Sequence, residues 1–294
     1  MFLPKFDYHA PTTVDEACSM LAHFGAKAKI LAGGTDLLVN MKKKLLSPEQ
    51  IISLNRIEGL NEVSYHKGSW LVLGPLGTAA NLCNSKLIQE RISVLAQGAG
   101  RLGSPLVRNR ATLGGNLITA RPASDLAPPL LVLSAEVVLK GPKEERTILL
   151  EKFFQGPGQT AIQVDEILTQ ILIPKTQGAG AYIKLGSRKA LEIALVNAAS
   201  FLELAPDGSI QQARVALGAV APIPLLATSA AKILKGAKPK DEDDPVFQEA
   251  AQASAQDSKP ITNHRGSAGY RQDMVKILTL RTLKDAYRQL MKNT

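Results

Sequence analysis

Val14, Ala17, Leu21 and Phe24 recur at helical spacing behind Thr12-Thr13 and Glu16, which predicts a capped helix ended by Gly25. Lys29-Ile30-Leu31 then reads as a short strand running into Ala32-Gly33-Gly34-Thr35-Asp36. Leu37, Leu38, Met41 and Leu45 predict a helix, and Ile51-Ile52-Ser53-Leu54 a buried strand, so the first segment reads as a small β-α-β unit. From Val63 the pattern changes. Val63-Ser64-Tyr65, Trp70-Leu71-Val72-Leu73-Gly74 and Val137-Val138-Leu139-Lys140 read as strands, with one helix from Leu82 to Gln97 whose apolar face carries Leu87, Ile88, Ile92 and Leu95. Ile167 to Ile173 is a further strand stopped by Pro174, and Thr176-Gln177-Gly178-Ala179-Gly180 reads as a linker. Beyond it, Ala181–Leu185 opens a new unit. Ala198–Leu204, Pro206-Asp207-Gly208 and Ile210–Leu217 predict a β-hairpin. Residues 238–245 read as a solvated loop, and a long helix closes the chain with Met274, Ile277, Leu278, Leu283, Tyr287, Leu290 and Met291 as its apolar stripe. Strands and helices alternate irregularly, which predicts an α+β fold rather than a doubly wound sheet.

Composition narrows the function classes. The 294 residues suffice for more than one domain, and 45% hydrophobic with 21% charged residues is ordinary globular usage. The net charge of +9 raises nucleic-acid binding, yet the basic residues are scattered and only 4% are aromatic, so stacking platforms are scarce. The compact run Lys42-Lys43-Lys44 falls at an expected helix C-terminus, where positive charge complements the dipole. Attraction for anionic cofactors and acidic partners is the better use of that charge. Cys18 and Cys83 are the only cysteines, too few for the four thiolates of an iron–sulfur cluster. With no export-type signal visible, they point to a reducing cytoplasm. The most apolar stretch, Leu126–Leu139, is interrupted by Pro128, Pro129, Ser134 and Glu136 and is too short to span a bilayer.

Three glycine patterns compete for a phosphate. Gly98-Ala99-Gly100-Arg101-Leu102-Gly103 matches G-x-G-x-x-G, but a predicted helix precedes it and Pro105 follows, the reverse of the dinucleotide context. These glycines are expected to let the chain turn sharply. Gly33-Gly34 has better context, a strand before and a helix after, where backbone amides can converge on an anion. A plain tight turn explains that motif alone equally well. Thr112-Leu113-Gly114-Gly115-Asn116 repeats the logic with a hydroxyl, two glycines and a carboxamide. Asp125 follows in Pro122-Ala123-Ser124-Asp125-Leu126, as a ligand for ribose or ribityl hydroxyls or as a helix cap. Arg108 and Arg110 precede the turn, either to neutralise phosphate charge or, the commoner fate of such arginines, on a solvated face. His9, His23, His66 and His264 show no metal-ligand spacing, and no nucleophile elbow or Walker lysine is present. The absence of an evident acid, base or nucleophile suits a protein whose chemistry is done by a bound cofactor.

Taken together, Ala32–Asp36, Thr112–Asn116 and Pro122–Leu126 resemble the FAD-binding subunit of the molybdenum hydroxylases, the group of xanthine dehydrogenase and the medium subunit of carbon monoxide dehydrogenase. The resemblance runs from Phe6-Asp7-Tyr8-His9-Ala10-Pro11 to Gly269-Tyr270-Arg271. It implies a vanillyl-alcohol-oxidase-type fold: FAD-binding subdomains at 1–56 and 57–175, with a C-terminal α+β domain at 176–294. By position, Leu31, Ala32, Gly33, Gly34, Thr35, Asp36 and Leu37 are implied to wrap the diphosphate from one side. Ala111, Thr112, Gly114, Gly115, Asn116, Thr119 and Ser124 are implied to hold it and the ribityl chain from the other, with Asp125 on sugar or ribityl hydroxyls. Leu102 falls where xanthine dehydrogenases place an aromatic residue against the adenine or flavin ring. Leu168 is implied to offer backbone groups to the flavin edge, and Lys184 a cation near the ring that favours the reduced, anionic flavin.

The resemblance further implies an oxidoreductase subunit with no catalytic side chain or metal site of its own. Its partners would be a large molybdenum-cofactor subunit and a small iron–sulfur subunit, in a dimer of heterotrimers. Electrons would leave FAD for NAD+ or another acceptor. Arg188–Ala194 and Asn116–Asp125 look closest to the xanthine dehydrogenase branch. A self-sufficient flavin oxidase or reductase of the same fold is the competing enzyme, and an anion-binding assembly protein the non-enzymatic alternative.

Overall fold

Residues 2–66, 70–188 and 191–293 are described by a computed structural model of the chain. β1 (Asp7–His9), α1 (Val14–Phe24), β2 (Ala28–Leu31), α2 (Leu37–Lys42) and β3 (Gln50–Ser53) form the first layer, a parallel three-stranded sheet ordered β1-β3-β2. Thr13 caps α1 by accepting from the Glu16 amide, and the Glu16 carboxylate accepts from the Thr12 amide, a reciprocal pair that fixes where the helix starts. Ala17, Cys18 and Leu21 face inward. Cys18 is core: burial pushes its thiol up to about 11, and Sγ donates to the Lys140 carbonyl. β1 is an addition to the predicted β-α-β unit, because Asp-Tyr-His is a polar edge sequence without strand alternation.

Five antiparallel-paired strands make the second sheet, ordered β4 (Val63–His66), β5 (Trp70–Leu73), β10 (Ile167–Pro174), β6 (Glu136–Lys140) and β7 (Glu145–Leu149). Pro174 closes β10 rather than stopping short of it. The helix expected over residues 82–97 is three helices: α3 (Ala79–Asn84), α4 (Lys86–Arg91) and α5 (Ser93–Arg101). Ser85 breaks the first by leaving helical geometry to cap α4 at the Ile88 amide, and Ile92 breaks the second at φ −143°. α6 (Pro105–Arg108), α7 (Leu113–Ile118) and α8 (Ala127–Val132) follow. α9 (Leu150–Phe153) and the short hairpin β8 (Phe154–Gly156) and β9 (Gln159–Thr160) complete this part.

The third sheet is ordered β11 (Ala179–Leu185), β12 (Val196–Leu204), β13 (Ile210–Gly218) and β14 (Leu225–Leu226). β11 absorbs Ala179 and Gly180 from the expected linker. The β12–β13 hairpin forms as read, around Pro206-Asp207-Gly208. α10 (Thr228–Leu234), α11 (Pro245–Asp257) and α12 (Ala268–Asn293) pack with it. Pro245, placed in a loop by the sequence, is the first residue of α11, capped by Asp244. Alternate positions of β12 serve two cores: Val196, Ala198 and Leu202 join the C-terminal helices, whereas Ala199 and Phe201 join the central core of α3–α5, α8 and the five-stranded sheet. The third sheet is therefore sandwiched, and its inner face looks onto α5 and α8. On α12 the buried stripe is Val275, Leu278, Thr279, Thr282, Leu283, Ala286 and Tyr287, while Ile277 and Met291 are exposed. Ile277 sits about 100° around the helix from Leu278, which carries it off the sheet.

Candidate cofactor-binding site

The first glycine loop leaves β2 and enters α2. Gly34 holds φ +76°, a left-handed conformation that suits glycine. A Cβ on Gly33 would overlap the carbonyl oxygen of Arg110, so this loop lies directly against the segment leading into the second. Among the described residues, the amides of Gly33, Gly34, Thr35 and Asp36 donate to no acceptor in the chain. Consecutive free amides ahead of a helix are the donor set that oxyanions use. Asp36 accepts from the Asn40 side chain at 2.8 Å and lies 3.8 Å from the Arg121 guanidinium, which links the first loop to the stretch after Asn116.

The second glycine pair is built differently. Thr112 caps α7, its Oγ1 accepting from the Gly115 amide at 3.1 Å, and both glycines lie within the helix. Gly115 has no positive φ, so the tight turn expected there is instead a helical first turn. The Leu113 and Gly114 amides donate to Gly77 and Pro75 at 2.9 and 2.8 Å, and a Cβ on Gly114 would press on the Pro75 ring. The amides of this turn are consumed by the protein. What it presents is side chains, above all Asn116. Its Oδ1 accepts from the Ser124 hydroxyl at 2.5 Å, and its NH2 donates to nothing among the described residues. The two motifs look alike in sequence and divide the work in space: one supplies amides, the other a hydroxyl and a carboxamide. That division fits a diphosphate with its sugar-like neighbour better than two copies of one cradle would.

Asp125 does not cap α8; Ser124 takes that contact, accepting from the Ala127 amide at 3.1 Å. The Asp125 carboxylate is buried against β11. Oδ2 pairs with Lys184 Nζ at 2.7 Å and Oδ1 accepts from the Tyr182 hydroxyl at 2.7 Å. Both charged side chains are less than a tenth exposed, at 7% and 8%. Burial raises the Asp125 carboxyl above the ordinary carboxylate range, opposed by the Lys184 charge and the hydrogen bonds of Lys184 and Tyr182. Burial and the Asp125 charge hold the Tyr182 hydroxyl well above its usual value, so it stays the donor. Lys184 Nζ also donates to the Arg101 carbonyl. Lys184 is thus a buried half of an ion pair rather than a solvated strand residue. Tyr182 and Asn197, which donates to the Ser124 carbonyl at 3.0 Å, were not singled out by sequence. One signal was available for Tyr182: it stands two residues before Lys184 and shares its face of the strand.

The other expected residues divide. Thr119 closes α7, its hydroxyl donating to the Asn116 carbonyl, and Ala111 accepts from the Ala79 amide beneath the loops. Leu31 and Ala32 lead into the first loop, and Leu37 starts α2. Leu102 ends α5 and is buried, its carbonyl taken by Arg108 Nη1. That bond directs Arg108 to its own backbone, whereas Arg110 is exposed. Leu168 is buried in β10 at a bulge opposite Leu139 and makes no hydrogen bond or ion pair to either loop among the described residues. Gly98 and Gly100 are helical, not turning: Gly98 lets α5 approach so closely that a Cβ would stand 2.5 Å from the Asp125 carbonyl oxygen. The turn is made by Gly103 at φ +50°. Lys189 and Ala190 of the 188–194 stretch lie outside the described residues.

Comparison with known proteins places these features together. Residues 4–176 match the family described as FAD binding domain in molybdopterin dehydrogenase, and residues 181–286 match the CO dehydrogenase flavoprotein C-terminal domain. The chain is 34% identical over 289 residues to the carbon monoxide dehydrogenase medium chain of Hydrogenophaga pseudoflava, covering 98% of this chain and 99% of that one. It is 31% identical to the glyceraldehyde dehydrogenase medium chain of Sulfolobus acidocaldarius, covering 97% and 99%. A solved carbon monoxide dehydrogenase from Hydrogenophaga pseudoflava superposes with a TM-score of 0.92 at 33% identity, covering 99% of both chains. Identity to the putative xanthine dehydrogenase FAD-binding subunit of Escherichia coli K12 is 26%, over 95% of each chain.

Proposed function

The chain belongs to the FAD-binding medium subunits of the molybdopterin dehydrogenases, and from that premise we propose that it is the electron-relay subunit of a larger hydroxylase. The first loop's free amides take the FAD diphosphate; Thr112, Asn116 and Ser124 take the adjoining ribityl and phosphate oxygens; the Asp125–Lys184 pair lies toward the sugar or ring. A FAD held there would supply two-electron redox chemistry, linking iron–sulfur clusters of a small partner subunit to NAD+ or another acceptor. Substrate hydroxylation belongs to a large molybdenum-cofactor subunit, in a cytoplasmic dimer of heterotrimers. The observation that carries this reading is the contact of Gly33 with Arg110, which sets the free amides of one loop against the side chains of the other.

The division into 1–56, 57–175 and 176–294 is supported by three sheets that do not exchange strands. No helix among the described residues is long and apolar enough to cross a membrane. Expression with the neighbouring genes, followed by size exclusion, tests the relay. Co-elution with molybdenum and iron–sulfur subunits is the expected outcome. A lone chain that turns over an organic substrate would establish the self-sufficient flavoenzyme instead.

A further inference from the structure

Arg271 is only 3% exposed, in the first turn of α12, and among the described residues no carboxylate pairs with it. Burying an uncompensated guanidinium is expensive, and the helix N-terminus adds no favourable field for a cation. Its donors instead hold two backbone carbonyls and one side-chain carboxamide. Nη1 donates to the Leu195 carbonyl at 2.7 Å and the Ala219 carbonyl at 3.1 Å, and Nη2 donates to Asn263 Oδ1 at 2.8 Å. Leu195 immediately precedes β12 and Ala219 immediately follows β13, so one side chain ties together that end of the central hairpin.

Ala219 has φ +63°, which an alanine adopts only when its surroundings impose it. The peptide that Arg271 holds by its carbonyl follows the one whose amide donates to the Pro122 carbonyl at 2.7 Å. Pro122 lies between Asn116 and Asp125. Asn197, one strand over, donates to the Ser124 carbonyl, and Tyr182 and Lys184 grip the Asp125 carboxylate. The third sheet therefore holds Pro122–Asp125 at three successive points, and Arg271 fixes the strained one.

We propose that Arg271 is a positioning residue for the cofactor: through Ala219 it sets the Pro122–Asp125 segment, and hence Ser124 and Asn116, in the geometry that FAD needs. The proposal rests on the reading of the two glycine loops as the FAD site. Arg271→Lys keeps the charge but cannot span three acceptors, leaving buried carbonyls unpaired. The full chain with R271K should bind FAD about tenfold more weakly than wild type, the cost of a lost buried hydrogen bond. Phe247→Leu, in the C-terminal core away from the segment, serves as the stability control. Flavin fluorescence gives the Kd of each variant, thermal unfolding gives its Tm, and hydrogen exchange of the peptides covering 122–125 and 219–222 reads the link itself. Weakened FAD binding in R271K beyond that of F247L at a matched loss of Tm, with faster exchange in both peptides, supports the proposal. Equal Kd at matched Tm, or unchanged exchange at 122–125, overturns it. If R271K does not fold, Arg271→Gln, a shorter side chain that still donates, is read by the same criteria. Gly33→Val separates the two ideas: loss of FAD there with unaltered binding in R271K sinks the positioning role alone, whereas FAD retained by G33V sinks the site.

Discussion

At the scale of single residues, the ion pair of Asp125 with Lys184 changes what a lysine near a flavin can do. A lone cation would raise the flavin potential at every pH. Here the charge is matched by a buried carboxylate 2.7 Å away, so the pair is close to neutral. In Lys184→Met the carboxyl loses the charge that opposes its raised pKa, which moves further up. The pair position then stays neutral until pH rises through the Asp125 pKa, where a negative charge appears and disfavours reduced, anionic flavin. Relative to wild type, the midpoint potential of K184M should be nearly unchanged at the acid end of the range over which the protein is folded and lower at the alkaline end. The expected difference is on the order of 30 mV, about 1.4 kcal/mol for two electrons. Spectroelectrochemical titration at both ends of that range checks this; a displacement independent of pH would mean that Lys184 acts as an isolated charge. The sequence placed Asp125 and Lys184 at the cofactor by resemblance. It held no sign that the two meet, because a contact between residues 59 apart is decided by how the third sheet seats on α5 and α8.

At the scale of elements, local chemistry was legible and tertiary compromise was not. Thr13 and Glu16 announce α1, and Pro206-Asp207-Gly208 announces the β12–β13 hairpin, because capping and turn geometry reside in a few adjacent residues. The apolar spacing from Leu82 to Gln97 is helical throughout, yet Ser85 and Ile92 leave helical geometry and divide it into three short helices. β7 was missed altogether, being a half-exposed strand on the edge of its sheet. It is anchored by Arg146, whose guanidinium bonds the Glu166 carboxylate at 2.6 and 2.8 Å and the Ala161 carbonyl at 2.6 Å. The Arg146 hydrogen bond holds Glu166 below the usual carboxylate range. A carboxyl with a depressed folded-state pKa contributes stability that is present above its unfolded value and is lost as pH falls through the folded one. Glu166→Gln should therefore cost roughly 2–3 kcal/mol at neutral pH, the upper part of the range for hydrogen bonds to charged groups. The gap to wild type should close as pH drops below about 4, near the unfolded carboxyl value. Urea denaturation across that range measures it, and a gap that widens in acid would contradict the assignment.

At the scale of the whole molecule, the proposed cofactor site is a product of all three sheets. The first loop hangs from the parallel sheet, the second is hydrogen-bonded to Pro75 and Gly77 just after β5 of the five-stranded sheet, and the third sheet holds the segment that joins Asn116 to Asp125. The order of the glycine motifs was visible in the sequence, but their unequal roles were not. Which amides are free depends on Pro75 and Gly77 reaching the second turn while no acceptor among the described residues reaches the first. The most direct test of this account is a titration of the purified full chain with FAD, alongside Gly33→Val. Wild type should take up one FAD per chain and show flavin bands near 370 and 450 nm, roughly as for any oxidised flavin. G33V, whose new side chain collides with Arg110, should retain none. Stoichiometric FAD in G33V, or no flavin bands in wild type after FAD is added, would contradict the placement of the cofactor between the two loops.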